Sequence, residues 1–340
     1  MPADEPGLGK VDRAFFESHI YPRLGADRDD VALGPAHGVD FGVLDVGETG
    51  LVVATDPLSI LPDLGFDRAA RFALHVVLSD VAVSGLSPTH LTVDFALPPE
   101  LTDEQFATLW KAIDEECSDL GVSIVSGHTA RYPGCTFPWV GGATAMAVGD
   151  PADVVRPDGA RPGDAVVVTK GPAVEATGFL TTLYPDAFDL PEETLRAAQA
   201  NLAETALVRD ATTAADAGRV HAMHDATECG LAGALVEMAE SAGVRFAVDR
   251  ARVPLRPGVA ETWASLGVDP WHVTTSGTLV LAVAADDAAA VVDALEARET
   301  TAAVVGTVES GTGVAVDGEP LDHPGVDPSW ELYADLAARE

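Results

Sequence analysis

Positive charge is what this chain of 340 residues lacks most. Its 20 Lys and Arg face 54 Asp and Glu, a formal net charge of −34, and lysine occurs only at Lys10, Lys111 and Lys170. Such a surface cannot supply the broad basic footprint that neutralises phosphates, which excludes nucleic-acid binding of that kind. Cysteine is scarce too: Cys117, Cys135 and Cys229 stand at spacings that make neither a disulfide framework nor a zinc site. No apolar run approaches the length of a membrane span, and the opening MPADEPGLGK has no signal-peptide pattern. The expectation is a soluble, cytoplasmic protein without membrane or nucleic-acid partners. Phosphate-loop, dinucleotide-fold, kinase-loop and nucleophile-elbow motifs are absent as well; GLGK at 7–10 is too short and follows no strand.

What is present is apolar patterning. Residues of hydrophobic type make up 47% of the chain, enough for two cores, and 340 residues exceed what one core usually holds. The acids are therefore expected to coat folded domains rather than to signal disorder. Their excess resembles proteins of salt-loving microbes, where ionic strength screens self-repulsion. The Pro-, Gly- and Asp-rich stretch 149–163 (GDPADVVRPDGARPG) reads as a joint, giving domains at 1–152 and 153–340.

Taken in order, 11–24 predicts a short helix ending before Pro22. Val39, Phe41 and Val43, then Leu51 to Val53, predict two strands joined around Gly47 to Gly50. HLTVDFAL at 90–97 alternates as a strand, Thr102 caps a helix over 103–120, and Gly121 ends it. VSIVSGHTARY predicts a strand followed by a turn, with His128 and Thr129 just past the strand end. WVGGATAMAVG and AVVVTKG are further strands, and 191–217 is helical and surface-like. HAMHDATECG predicts a turn with Thr227 as helix cap, whose backbone N–H groups would favour an anion. Strand signals at 272–284, and a last helix and strand over 286–309, complete a mixed α+β fold.

One stretch stands apart. RFALHVVLSDVAVSGLSP at 71–88 is apolar almost all round a helix, so it belongs inside the protein. Asp80 sits in its middle. A buried carboxylate must bond locally, reach solvent, or meet a cation or convergent donors. Asp40 in HGVDFG and Asp56 in VVATDP repeat the pattern at strand ends, although Asp56 before Pro57 is also a good turn former. Several carboxylates in one half repel unless cations sit between them, and oxygen ligands of this kind suit magnesium shared with substrate phosphates.

The order GVDFG, TD, SD with a small-residue tail, GHT, and HDATECGLAGAL resembles the AIR-synthase-related (PurM-like) superfamily over nearly the whole chain. Its members include aminoimidazole ribotide synthase, thiamine-monophosphate kinase, selenophosphate synthetase and a hydrogenase-maturation (HypE-like) protein. The resemblance implies two PurM-like α/β domains, ATP bound by the first, magnesium held by aspartates, and a homodimer with the site near its interface. Asp40, Asp56 and Asp80 match the family's metal-binding aspartates; Asp56, Asp80 and His128 take the catalytic positions. Gly127 and Thr129 flank His128 in the nucleotide motif, and Asp225 and Thr227 match the C-terminal Asp-x-Thr motif. Lys10 would reach a nucleotide phosphate, as N-terminal residues do in relatives.

Three departures bear on chemistry. Val39 replaces one Asp of a pair, and His128 replaces an Asp, where an imidazole suits a phosphate contact or a softer metal. Cys229 stands for a glycine. The chain ends DLAARE with no cysteine after Cys229, so dehydration of a modified cysteine tail is not expected, and activation of an oxygen on a small molecule is. A protein partner in metalloenzyme maturation is the other expected contact. His37 before Asp40 is either a site residue or part of a Gly-rich loop. Lys170 is either a phosphate contact or a solvated charge. His224 either acts on a bound substrate or fills its turn, and His75 reads as a core histidine.

Overall fold

The structure, a computed structural model, describes residues 9, 11, 13–36 and 38–338; Lys10 and His37 lie outside them. The chain begins with a single α turn, α1 (Arg13–Phe15), that continues as a π turn (Phe16–Ile20) and a 3-10 turn (Tyr21–Arg23). Pro22 thus lies inside the last turn instead of beyond a helix. Six strands then build a first sheet: β1 (Val31–Leu33), β2 (Gly42–Val46), β3 (Thr49–Ser59), β4 (His90–Leu97), β5 (Ser123–Arg131) and β6 (Trp139–Gly149), in the order β1-β2-β3-β6-β4-β5. Only β4 and β5 run parallel.

Alternation decides which face of this sheet is covered. Val52, Ala54 and Leu58 of β3, Ala143, Ala145 and Ala147 of β6, and Leu91, Val93 and Phe95 of β4 are all buried. They share one face because opposed residues in a ladder point the same way. Helices α2 (Phe66–Ala82) and α3 (Asp103–Leu120) cover that face. Thr102 caps α3 in a capping box with Gln105, and Gly121 ends it in the left-handed region, as its sequence predicts. Eleven of the 17 residues of α2 are buried, which makes it an internal layer and not a surface helix.

The second sheet draws on later residues: β7 (Ala165–Thr169), β8 (Val220–Ala226), β9 (Arg245–Val248), β10 (Thr278–Val283), β11 (Ala302–Glu309), β12 (Gly313–Val316) and β13 (Glu319–Leu321), in the order β13-β12-β9-β11-β7-β10-β8. Its helices are α4 (Val174–Leu183), α5 (Glu192–Ala200), α6 (Val208–Ala217), α7 (Gly230–Ala242), α8 (Val259–Leu266), α9 (Ala288–Glu296) and α10 (Pro328–Ala337). Both faces of its centre are covered. Val167, Leu279 and Leu281 join the core that contains α2, α6 and α9, while Val166, Val168 and Val280 pack with α7. That is why β7 reads as an unbroken apolar run. Phe72 of α2 meets Phe179 of α4 edge-on, ring centres 4.7 Å apart, so the two halves share one core.

The structure departs from the sequence expectations at several points. His128 and Thr129 lie inside β5, where Asp94 and Phe95 of β4 pair with them. Residues 220–226 form β8, not a turn, held by β10. The helical stretch 191–217 breaks into α5, a 3-10 turn (Asn201–Thr205) and α6, and α6 buries Val208, Ala211 and Ala214.

An ionic clasp joins α2 to α3: His75 Nε2 lies 3.0 Å from Glu116 Oε1, and Arg71 Nη1 donates to Glu116 Oε2 at 2.6 Å. The bond to His75, then the neighbouring Arg71, hold the Glu116 carboxyl at about 2, below its usual value. A depressed acid stabilises the fold above its unfolded pKa of about 4.5, and that contribution fades as pH falls toward about 2. Glu116→Gln is therefore expected to cost about 2 kcal/mol at neutral pH, after discount for solvent screening. Urea titrations of both proteins from pH 7 to pH 2 should show the difference shrink in acid; a constant gap would refute the assignment.

Candidate metal centre

Four elements bring acids to the seam between the sheets. Asp80 lies in the last turn of α2, and Asp56 points from β3 toward the same helix, opposite Ala143 of β6. Asp40 arrives on the loop before β2, and Asp225 closes β8. The Asp80 carboxyl is held well above its ordinary value, first by burial, then by the charges of Asp56, Asp225 and Asp40, and it is hydrogen-bonded to Asp56. Like charges so close cannot all ionise without a counter-charge. Asp56 is thus a strand residue with a partner on the helix that covers its own sheet, not a turn former.

Asp40 reaches the cluster because Gly38 turns the chain in the left-handed region (φ +71°) against α7. A Cβ there would stand 3.3 Å from both the Cβ and the carbonyl oxygen of Glu237. Asp40 Oδ2 lies 2.6 Å from His224 Nδ1, and Glu237 Oε2 lies 3.1 Å from His224 Nε2. His323 Nε2 is 3.4 Å from the other Glu237 oxygen. Burial opposes charge on His224, but Asp40 and Glu237 outweigh it and raise its pKa well above normal. Asp40, His224 and Asp225 each present a ligand atom, all within 4.8 Å of one another. A mainly carboxylate set with one imidazole fits a hard or borderline divalent cation.

Not every residue singled out from sequence comes here. Asp56, Ala143, Val93 and Gly127 occupy one row across the first sheet, so Gly127 stands about 14 Å from Asp56 at ordinary strand spacing. A Cβ on Gly127 would come within 2.3 Å of Val93 O, a packing reason for glycine. Thr129 is exposed on the same outer strand. His128 pairs with Asp94 on the opposite face of the sheet and meets the Tyr132 hydroxyl at 3.1 Å. The chain by itself does not join it to the aspartates.

Lys170 corrects both of its sequence readings. It is buried, and its ammonium meets Asp210 Oδ2 at 2.8 Å and the carbonyls of Glu204 and Ala206 at 2.9 and 2.7 Å. All three donors are spent on the fold. Thr227 is not a helix cap: Cys229, at φ +62°, is the residue before α7. The Cys229 N–H donates to Asp327 Oδ2 at 2.7 Å, so the chain's own carboxylate takes the place expected for an anion. Glu237 and His323 were missed. Glu237 carried the signal that picked out Asp80, a lone acid within the apolar run LAGALVEM of α7.

Two mixed sheets sharing a helical core, with an acid cluster at their seam that could hold a metal ion, define a two-half fold. The chain matches the model for "AIR synthase related protein, N-terminal domain" over residues 38–153 and that for the C-terminal domain over residues 161–319. It is 29% identical over 333 residues to selenide, water dikinase of Citrifermentans bemidjiense, covering 90% of this chain and 94% of that one. It is 30% identical over 280 residues to carbamoyl dehydratase HypE of Rhizobium leguminosarum bv. viciae, covering 80% and 77%. The solved structure of AaThiL complexed with AMPPCP and TMP aligns with a TM-score of 0.67 at 21% identity, over 85% of this chain and 90% of that one. The chain belongs to the AIR synthase related family.

Because the folded-state pKa of Asp80 is raised, its ionisation costs stability that is absent below the unfolded value of about 3.9 and grows as pH rises above it. In chelator at pH 7.5, Asp80→Asn should melt higher than the parent chain. Added divalent cation should narrow that gap by stabilising the parent alone. A lower melting temperature for Asp80→Asn in chelator would contradict the cluster.

Proposed function

We propose that this chain is an ATP- and magnesium-dependent enzyme, HypE-like in type, that phosphorylates an oxygen of a small substrate or activates it by phosphorylation. The observation that carries this reading is the meeting of Asp40, Asp56, Asp80 and Asp225, where burial and then the other three charges raise the Asp80 carboxyl well above its ordinary value. Support comes from the family, which includes a protein named a dikinase, and from the structural neighbour bound to AMPPCP. The first half, 1–152, would hold the nucleotide and the second, 153–340, the substrate. Magnesium, when bound, would neutralise charge spreading over the phosphate oxygens. Asp40, Asp56, Asp80 and Asp225 would hold it, and the packed α2 behind Asp80 would keep their geometry rigid. Asp225 joins the three metal-binding aspartates the sequence suggested.

His128, Gly127 and Thr129 would serve the nucleotide across a homodimer. Their strand β5 is the outer edge of its sheet and largely exposed, and an exposed edge with Val125 beside it invites a second copy. The placement of His128 away from the aspartates also favours a second reading, a nucleotide-binding maturation factor without turnover of its own. A thiamine-monophosphate-kinase-like phosphotransfer is the sibling of the first reading and needs the same four acids.

Turnover separates them. In high salt with magnesium, the purified chain should bind ATP and release product in the presence of a phosphate-accepting substrate. Asp56→Asn should slow that by roughly 100-fold, the scale on which losing one transition-state charge stabiliser acts. Absence of ATP binding, with Asp56→Asn indistinguishable from the parent, would sink the proposal. Tight binding with no product would favour the maturation factor.

A further inference from the structure

Among the described residues His224 is the one nitrogen donor within the group of ligand atoms at the seam, and its surroundings are those of a metal-bound imidazole. It is buried, 2% exposed at the side chain. Adjacent residues of a strand point to opposite faces, so His224 faces α7 while Asp225 faces the core that holds α2. At the end of β8 both still bring an atom within 4.8 Å of Asp40. Two ligands of one cation, each about 2.1 Å from it, stand about 3 Å apart. The present 2.6 Å between His224 Nδ1 and Asp40 Oδ2 need open by only a few tenths of an ångström to admit one.

The other ring nitrogen completes the case. A ligating histidine nearly always gives its second N–H to a carboxylate, which fixes tautomer and ring orientation. Glu237 Oε2 stands 3.1 Å from Nε2. The Nε2–H tautomer leaves the Nδ1 lone pair directed at Asp40. Gly38 presses the Asp40 loop against Glu237, so ligand and positioning residue are held by the same contact.

We propose that His224 is a nitrogen ligand of the divalent cation bound at this seam, positioned by Glu237, and that it shifts the site's preference from Mg2+ toward Mn2+ and Zn2+. This rests on the reading that a cation occupies the acid cluster. Magnesium strongly favours oxygen ligands, whereas imidazole suits borderline transition ions. On binding, the cation takes the place of the proton between Nδ1 and Oδ2, and that proton leaves to solvent.

The test uses the full chain, stripped of metal, with Mn2+, Zn2+ and Mg2+ as probes in calorimetric titration. His224→Asn should weaken Mn2+ and Zn2+ by about 100-fold and Mg2+ by less than about 3-fold. Glu237→Gln, nearly the same size, should weaken Mn2+ and Zn2+ by about 10-fold, the scale of losing an orienting partner. Electron spin echoes of the Mn2+-loaded parent should carry modulation from a directly bonded 14N, lost in His224→Asn. If that variant does not fold, the parent's spectrum decides alone. Mn2+ bound without nitrogen coupling, or equal losses for Mg2+ and Mn2+, overturns the inference and leaves the cation reading standing. Failure of the parent to bind any of the three ions overturns both.

Discussion

Repulsion among Asp40, Asp56, Asp80 and Asp225 is the constraint around which the molecule is arranged. Each comes from a different place: Asp40 from the loop before β2, Asp56 from a strand of the first sheet, Asp80 from a helix and Asp225 from a strand of the other sheet. The cluster therefore exists only when α2 is packed between the halves. Hydrophobic burial along α2, with Phe72 against Phe179, supplies that packing, while burial raises the cost of every charge at its end. The fold answers with a hydrogen bond between Asp80 and Asp56 and with His224 between Asp40 and Glu237. Both devices are replaceable by a cation. That makes the site a place where apolar packing holds like charges together until something positive arrives.

Elsewhere the chain spends its few buried polar groups on itself. Asp210 answers Lys170 with one oxygen and accepts from Thr300 with the other, leaving no free valence for a ligand. Removing either partner of such a buried pair is costly because the survivor is left uncompensated. The helix end at Cys229 is closed by Asp327, which also accepts from the Ser329 N–H. Helix N-termini attract anions, but this one already holds a carboxylate. A phosphate would find its counter-charge in a cation held by the acid cluster and not at the start of α7.

Much of this was legible in the sequence, and what was not has physical causes. Apolar periodicity placed α2, and a lone carboxylate in that periodicity marked Asp80. The same logic applied to α7 points to Glu237, whose helix was read for its apolar face only. SGHT looked like a turn because Ser, Gly and Thr dominate it; pairing with β4 keeps it extended and puts His128 on the far face. Local propensity could not foresee a tertiary ladder. Lys170 at a strand end could be read as a phosphate contact or a solvated charge, yet a left-handed backbone (φ +54°) turns it inward onto Asp210, a residue forty positions away in α6. His224 was ambiguous for a related reason: its partners Asp40 and Glu237 lie on the loop before β2 and on α7, brought to it by the fold.

The end of β8 is where general fold and particular chemistry separate. A family fold leaves its reaction open, and acids at four positions specify no more than a cation. His224 and Asp225 are consecutive, so the alternation of a strand sends one toward α7 and the other toward α2. A change at either residue alters the site from one side only. An imidazole on the α7 side, locked by Glu237, changes which ion is held without touching the aspartates that face α2. Metal choice and phosphate chemistry are then set by different faces of the same strand, and each can vary while the other is kept.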